Sequence, residues 1–405
     1  MTATDQGTDQ SDHCELPAGF RYAGVACGIK PSGKPDLSLI VADNPVTAAG
    51  VYTQNQVVAA PVVLCRERTP RKTVRAVVTN SGNANACTGT TGMHDAKAMC
   101  QQVAKLMDCD PSDVLVMSTG IIGKTLPMKR IEDGIDSAYQ QLADDHSAFF
   151  AAAEAIRTTD VDRKTVCREV RCGSRVFRVA AMAKGAGMIA PNMATMLAVI
   201  LTDAPLSPEI AQQVLSQAAK VSFNRVSVDG HTSTNDTLLL LSSGTEDELS
   251  ESELESFQSE VNRASIELAK QLVADGEGAS HVMAIRVVGA EDEAAAEIIA
   301  ETVAASPLVK TAITGGDPNW GRIVSAAGYA KASITPERTS LEICGTAIYE
   351  NGSPVEYDEA SLSRTMKASA EVEILLRVGD GPGEVEYWSS DLTTDYVQFN
   401  SEYTT

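Results

Sequence analysis

The chain has 405 residues and carries 54 acidic against 33 basic side chains, which gives a net charge of −21 at pH 7. At roughly 150 residues per domain this length predicts about two or three domains, and 43% hydrophobic with 21% charged residues excludes disorder as the overall state. Such an acidic chain is poorly suited to nucleic acid or to an anionic membrane surface, because both require clustered cations.

The nine cysteines and five histidines follow neither the pattern of a disulfide framework nor that of a metal site. The cysteine count is odd, and neither C-x-x-C nor H-E-x-x-H occurs. Residues 1–14 are polar and are predicted to be disordered, without the basic and apolar regions of a signal peptide. No apolar run reaches the ~18 residues of a membrane span. We therefore expect a reduced, cytoplasmic protein that binds neither metal nor membrane.

In chain order, the first elements are β-branched runs that end in turn residues, the pattern of buried strands. They predict strands over 38–42, 74–82 and 114–120. Ser207 followed by Pro208 predicts a helix over 207–221, because Ser caps a helix and Pro suits its first position. The acidic run 246–262 has apolar residues three and four apart, which predicts a solvated helix with one apolar face.

The later part of the chain alternates between strand and helix patterns. It predicts a strand over 281–289, a helix over 291–306 and a strand over 308–315. Such alternation is typical of a layered α/β protein.

The segment from Lys184 to Pro205 combines a small-residue turn, KGAGM, with an apolar strand, MLAVILT, that begins directly after Thr195. A Thr at the start of a buried strand is usually structural, because β-branched residues favour strands. A phosphate-binding loop is poorly supported, since G-A-G lacks the spacing of the known motifs. The residues by themselves thus leave open a structural and a nucleophilic Thr195.

Three other segments are denser in polar residues than ordinary loops: 80–89, 227–236 and 315–323. Turns built on Asn, Asp, Ser and Thr explain any one of them. Together they suggest loops that converge on a polar pocket.

Five motifs in this order along the chain resemble the ornithine acetyltransferase family of arginine biosynthesis: STGIIG at 118–123, KGAGMIAPNMATML at 184–197, DGEGA at 275–279, DPNWGRI at 317–323 and DLTTDYVQFN at 391–400. The similarity extends from about Gly19 to Thr405. The resemblance implies an α/β fold of layered mixed sheets and helices, of the self-processing N-terminal-Thr type that the family shares with certain aminopeptidases. It also implies an α chain 1–194, a β chain 195–405 and an α2β2 heterotetramer.

The resemblance further implies the chemistry. Cleavage between Ala194 and Thr195 would make Thr195 an N-terminal nucleophile, whose α-amino group, with a pKa of about 7.7–8.0, can act as the base. An acetyl group would pass from N2-acetyl-L-ornithine to L-glutamate through acetyl-Thr195, with Thr119 and Gly120 as the oxyanion hole. No cofactor is implied. Acetyl-CoA is a possible second donor, although the acidic chain favours recycling of the acetyl group as the main activity.

Substrate contacts carry over to single positions. Lys184 suits a substrate carboxylate and Glu277 suits the ornithine ammonium. The other binding residues that the resemblance implies are Thr159, Thr195, Asn400 and Thr405.

Two departures from the family pattern bear on specificity: His231 stands at the second acid of DGDTSTND, and Ser280-His281 stands where Thr-Lys usually follows DGEGA. Two alternatives remain open. The first is an N-terminal-Thr amidase or aminopeptidase that transfers the acyl group to water. The second is an uncleaved, non-catalytic paralogue that only binds amino acids.

Overall fold

The computed structural model describes residues 14–190 and 196–402. Its strands, in chain order, are β1 Phe20–Val25, β2 Leu37–Tyr52, β3 Arg71–Asn83, β4 Val114–Ile121, β5 Lys164–Cys172, β6 Arg175–Lys184, β7 Leu197–Thr202, β8 Val226–Ser227, β9 Thr237–Ser242, β10 Val282–Ala290, β11 Ser340–Ile343, β12 Thr346–Glu350, β13 Ser353–Pro354, β14 Glu371–Arg377 and β15 Gly383–Ser390.

The α-helices of the described ranges are α1 Ala60–Arg66, α2 Gly89–Met107, α3 Met128–Gln140, α4 His146–Ala155, α5 Pro208–Val221, α6 Glu251–Ala274, α7 Glu293–Ala305, α8 Pro307–Gly315, α9 Trp320–Gly328, α10 Glu359–Ala368 and α11 Thr394–Glu402. Among the described residues, no helix has the length and apolar character needed to cross a bilayer.

The strands form two mixed sheets. The larger sheet has the order β4-β3-β2-β9-β7-β6-β5, with β1 paired to β2. The smaller sheet has the order β13-β12-β11-β14-β10-β15-β8. Parallel pairs, such as β3 with β4 and β7 with β9, occur beside antiparallel pairs such as β6 with β7. The predicted α/β class of layered mixed sheets and helices is confirmed.

Strand β7 lies inside the larger sheet, and all six of its residues are buried. Leu197, Val199 and Leu201 belong to a core shared with α2, α3 and α4, whereas Ala198 and Ile200 belong to a core shared with α5 and α6. Because successive strand residues point to opposite faces, a strand covered on both faces reads as an uninterrupted apolar run. A third core joins the smaller sheet to α7, α8, α9 and α10.

Strand predictions in the first half are confirmed, although β2 and β3 are longer than predicted. The helix prediction at 207–221 is confirmed, and the Ser207 side chain accepts a hydrogen bond from the Ile210 amide. The acidic helix begins later than predicted: its first residue is Glu251, because Ser250 and Glu253 form a capping box there. The strand at 281–289 and the helix at 291–306 are confirmed to within a few residues.

The predicted strand at 308–315 is wrong, because this segment is helix α8. The Ser306 side chain accepts a hydrogen bond from the Val309 amide, and Pro307 occupies the first turn. This is the same Ser-Pro helix start as at Ser207-Pro208. The apolar, β-branched composition of the segment concealed that signal. The prediction of disorder for residues 1–14 falls almost entirely on 1–13, which lie outside the described residues.

Candidate active site

A cleft of about 260 Å³ gathers residues from distant parts of the chain. Among those that line it are six of the predicted site residues: Thr119, Gly120, Thr159, Lys184, Glu277 and Asn400. The other predicted positions, Ala194, Thr195 and Thr405, lie outside the described residues. The described residues include no group of side chains that could hold a metal ion.

Thr119 and Gly120 lie near the C-terminal end of β4, which runs parallel to β3. Gly120 has φ +131°, and a Cβ at this position would lie 2.3 Å from the backbone carbon of Gly82. Only glycine therefore permits the two strands to approach this closely. Beneath them, the buried side chain of Asn80 accepts a hydrogen bond from Ser118 at 2.6 Å and donates one to the Asn83 carbonyl at 2.8 Å. The segment that carries Thr119 is thus held from the β3 side.

Lys184 is the last residue of β6 and pairs with Leu197 of β7. This register places it beside the strand that follows the predicted cleavage point. Its ammonium is buried and donates a hydrogen bond to Thr119 Oγ1 at 3.3 Å. Burial lowers the pKa of Lys184, while the Asp160 carboxylate partly opposes that shift.

Asp160 connects Lys184 to the loop that carries Thr159. Its Oδ1 accepts hydrogen bonds from the Gly185 amide at 2.6 Å and from Lys164 Nζ at 2.7 Å. Lys164 also forms an ion pair with Asp275, two residues before Glu277. Burial by itself would raise the pKa of Asp160, but the Lys184 and Lys164 ammonium groups outweigh burial and hold that pKa below its ordinary value. This charge network ties the loop at 158–162 to the loop at 275–277.

Glu277 is held on both carboxylate oxygens. Thr159 Oγ1 donates to Oε1 at 2.8 Å, and Asn400 Nδ2 donates to Oε2 at 3.0 Å. Gly187 lies against the same carboxylate, since a Cβ there would come within 2.4 Å of Oε2. Thr158 and Thr159 both line the cleft, and it is the Thr159 side chain that reaches Glu277. The result is a fixed negative charge in the wall of the cleft.

Several cleft residues were not among the predicted site residues, and five of these lie in the polar segment 227–236. Asp229 accepts hydrogen bonds from the amides of Met188 at 2.6 Å and Ile189 at 3.0 Å, which holds the loop after Lys184. Asn235 Nδ2 donates to the carbonyls of Ala84 at 2.6 Å and Ser118 at 2.8 Å. The segments 80–89 and 227–236 therefore meet, as their polar density suggested.

The third polar segment, 315–323, does not join them, since none of its residues is among those that line the cleft. Asn319 caps α9 by accepting from the Arg322 amide at 3.1 Å, and Arg322 donates to the Leu308 carbonyl at 2.9 Å. Trp320 stacks on Tyr349 at a centroid distance of 5.2 Å. This motif organises the helices of the smaller sheet rather than the cleft.

Asp236 is completely buried. Its Oδ1 accepts a hydrogen bond from the Met196 amide at 3.2 Å, whereas no residue of the described ranges bonds its Oδ2. Burial raises the pKa of Asp236 well above its ordinary value. No motif had singled out this carboxylate, although it closes the TSTND segment.

The two departures from the family pattern have different positions. His231 lines the cleft, and its amide donates to Asp229 Oδ1 at 3.1 Å. Ser280 and His281 instead bind Asp391: the Ser280 amide donates to Oδ1 at 2.9 Å, and His281 Nδ1 lies 3.2 Å from Oδ2. They anchor the start of the segment that leads to α11 and Asn400.

The fold and the cleft define a class of protein: a layered α/β enzyme whose small polar cleft presents fixed charges of both signs, as suits an amino-acid-like ligand. A family model described as the ArgJ family matches residues 21–405. The arginine biosynthesis bifunctional protein ArgJ of Rhodopirellula baltica is 60% identical over an alignment of 410 positions that covers 100% of both chains. ArgJ 1 of Nostoc sp. is 42% identical and covers 96% of this chain and 97% of its own.

Among solved structures, ornithine acetyltransferase of Mycobacterium tuberculosis, complexed with ornithine, is 39% identical with a TM-score of 0.41. That match covers 47% of this chain and 98% of the solved chain. Family model and relatives together show that the chain belongs to the ArgJ family. The resemblance to ornithine acetyltransferases, first recognised in the motifs, is confirmed.

Proposed function

We propose that this protein transfers an acetyl group from N2-acetyl-L-ornithine to L-glutamate, giving L-ornithine and N-acetyl-L-glutamate in arginine biosynthesis. The observation that carries the proposal is the pair of opposite charges in one cleft. Glu277, braced by Thr159 and Asn400, presents a carboxylate for the ornithine side-chain ammonium. Lys184 presents an ammonium suited to a substrate carboxylate.

The acyl transfer runs through Thr195. Its hydroxyl oxygen attacks the acetyl carbonyl carbon, its hydroxyl proton passes to its own α-amino group, and the amide nitrogen of ornithine leaves with that proton. The amine of glutamate then attacks the acetyl-Thr195 ester, which restores the hydroxyl. Thr119 and Gly120 would stabilise the oxyanion in both steps, and removing one such donor typically costs about 10²–10³ in kcat.

The free α-amino group at Thr195 requires cleavage between Ala194 and Thr195. The resulting α chain 1–194 and β chain 195–405 would stay together, because β7 pairs with β6 on one side and β9 on the other. Asp236 bonds the amide of Met196, one residue from the new amino group, and a positive charge on that amino group would favour the charged form of Asp236. Two copies of each chain would complete an α2β2 assembly.

The reaction needs no cofactor. Acetyl-CoA could load the same Thr195 from the mouth of the cleft, and the curated relatives carry the word bifunctional in their names. We place the protein in the cytoplasm, because each of its nine cysteines is a free thiol, as is usual in a reducing compartment.

The test compares the parent protein with Thr195→Ala and with Thr302→Ala, a half-buried threonine of α7. Mass spectrometry should find fragments that end at Ala194 and begin at Thr195 in the parent and in Thr302→Ala, but one intact chain in Thr195→Ala. With acetyl-labelled N2-acetylornithine and glutamate, the cleaved proteins should form labelled N-acetylglutamate. Labelled acetate as the main product would identify an amidase instead. Cleavage in Thr195→Ala would exclude this nucleophile.

A further inference from the structure

Lys184 and Thr119 make a direct contact that a carboxylate-binding role for Lys184 does not explain. Lys184 Nζ lies 3.3 Å from Thr119 Oγ1, and the two residues are only 3% and 4% exposed. Within the described ranges, the Lys184 ammonium makes no other hydrogen bond. The contact joins the ends of β4 and β6, which are not neighbours in the sheet.

This contact determines whether the Thr119 hydroxyl donates or accepts a hydrogen bond in the cleft. An ammonium has three donors and no acceptor, so Thr119 Oγ1 must accept this hydrogen bond. The hydroxyl proton of Thr119 is then left for a different acceptor, and no described residue takes it. Because Thr119 lines the cleft, that proton is available to an oxygen atom of a bound substrate.

We propose that Lys184 is a positioning residue for the acyl-transfer step, whose ammonium keeps the Thr119 hydroxyl pointing as a donor toward the developing oxyanion. This inference rests on the function proposed above and adds a role that is separate from binding the substrate carboxylate. When the acetyl carbonyl is attacked, its π electron pair moves onto oxygen. Thr119 donates a hydrogen bond to that oxygen without giving up its proton, and the Lys184 charge behind the hydroxyl stabilises the same negative charge.

The protonation state of Lys184 decides whether the Thr119 hydroxyl points as a donor toward the oxyanion. A neutral amine has a lone pair, so it could accept a hydrogen bond from the Thr119 hydroxyl and withdraw that donor from the cleft. Burial lowers the pKa of Lys184, so this reversal begins at lower pH than for an exposed lysine. The charged groups around the ammonium are Asp160, Asp236 and Glu277, which favour its charged form, and Lys164 and Lys30, which oppose it.

A double-mutant cycle tests the inference, with Lys184→Met and with Thr119→Val, which keeps the shape of the side chain and removes its hydroxyl. Thr119→Val should lower kcat about 10²–10³-fold, and Lys184→Met should lower it at least ~10-fold. If Lys184 acts through Thr119, adding Lys184→Met to Thr119→Val should change kcat by less than about 3-fold. A loss in kcat of the double variant that equals the product of the two single losses would overturn the inference.

A donor without the carboxylate separates this role from substrate binding. With N-acetyl-1,4-diaminobutane, the loss in kcat caused by Lys184→Met should persist. A loss confined to KM for N2-acetylornithine, and missing with the decarboxylated donor, would show that Lys184 only binds the carboxylate.

The conservative variant supplies the last readout. Lys184→Arg keeps a charged donor that does not deprotonate, so it should retain more kcat than Lys184→Met, and its activity should persist to higher pH than that of the parent. Lys220→Met, at an exposed lysine that pairs with Glu293 at 2.8 Å, is the matched control and should leave kcat unchanged. An alkaline limit that is identical in parent and Lys184→Arg would contradict the proposal.

If Lys184→Met is cleaved too slowly to yield mature enzyme for steady-state kinetics, the same cycle is measured on the rate of self-cleavage, which also passes through an oxyanion. Losses that multiply there would again overturn the inference. Failure of this inference differs from failure of the proposed function. Trapped acetyl-Thr195 in a protein whose cycle is additive would refute only the role of Lys184.

Discussion

Gly187→Ala is a test of ammonium recognition that changes no charge. A Cβ built on Gly187 lies 2.4 Å from Oε2, 2.5 Å from Cδ and 2.7 Å from Oε1 of Glu277, whereas ordinary contacts begin at 3.4 Å. The carboxylate would therefore have to retreat by about 1 Å (3.4 − 2.4). Gly187 is not among the residues with positive φ, so its backbone accepts alanine without strain.

The expected magnitude follows from the hydrogen bonds that this shift disturbs. Thr159 and Asn400 hold the Glu277 carboxylate at 2.8 and 3.0 Å, and a displacement of about 1 Å weakens those bonds and misplaces the charge. Hydrogen bonds to charged groups are worth about 1.5–3 kcal/mol, which corresponds to about 10- to 150-fold in kcat/KM. Gly187→Ala should thus lower kcat/KM for N2-acetylornithine by about 10- to 150-fold.

The assay compares kcat/KM for N2-acetylornithine with that for N2-acetylnorleucine, which has a similar length but a neutral side chain. The loss should fall on acetylornithine, and Glu277→Gln should show the same preference. Gly315→Ala is the control, because nothing lies within 4 Å of a Cβ there. An equal loss on both donors, or no loss on either, would refute the view that the Glu277 carboxylate recognises the ammonium.

Three further changes test the supports of the cleft. The pKa of Asp160 is lowered from 3.8, so its contribution to the free energy of unfolding is complete above its ordinary pKa and is lost as pH falls below it. Asp160→Asn should therefore flatten the dependence of the urea midpoint on pH between about 4 and 2.5. At pH 7 it should lower the free energy of unfolding by about 3–5 kcal/mol, because it leaves Lys164 less fully paired. Gly120→Ala should lower the free energy of unfolding by at least ~2 kcal/mol and lower the Tm, since the new Cβ would lie 2.3 Å from the Gly82 backbone. Asn235→Ala should cost about 2–5 kcal/mol in urea unfolding, because it removes the hydrogen bonds to Ala84 and Ser118; an unchanged urea midpoint would show that this junction does not stabilise the cleft.

Local signals in the sequence predicted some elements correctly. Ser207-Pro208 began a helix as predicted, because capping and the fixed φ of proline act within a few residues. The same Ser-Pro signal at Ser306 was outweighed by the β-branched run after it, and the segment is nevertheless a helix. Propensity is a weak prior, and here the buried apolar face of α8 against the smaller sheet supports the helix.

The motifs allowed Thr119, Gly120, Thr159, Lys184, Glu277 and Asn400 to be chosen from the sequence, and the structure gathers all of them at one cleft. The sequence could not predict which of these side chains contact one another. Thr159 and Asn400 bind the two oxygens of Glu277 across separations of 118 and 123 residues. The sequence analysis marked the segment 227–236 without singling out Asp236, because complete burial is a property of the folded chain.

The sequence by itself determined the α/β class and the approximate bounds of several elements, because capping and periodicity are local properties, and the family resemblance supplied the candidate site residues. Only the tertiary structure decided that Lys184 meets Thr119, since β3, β2, β9 and β7 lie between their strands in the sheet order. Strand β2 pairs with β3 at 37–41 and again at Val46 and Ala48, with register shifts between Val41 and Val46 and between Val46 and Ala48, and it pairs with β9 at 47–52. Such irregularities bend a sheet and increase its twist. The curvature of a sheet is a sum over many pairings, and no local pattern of residues encodes it.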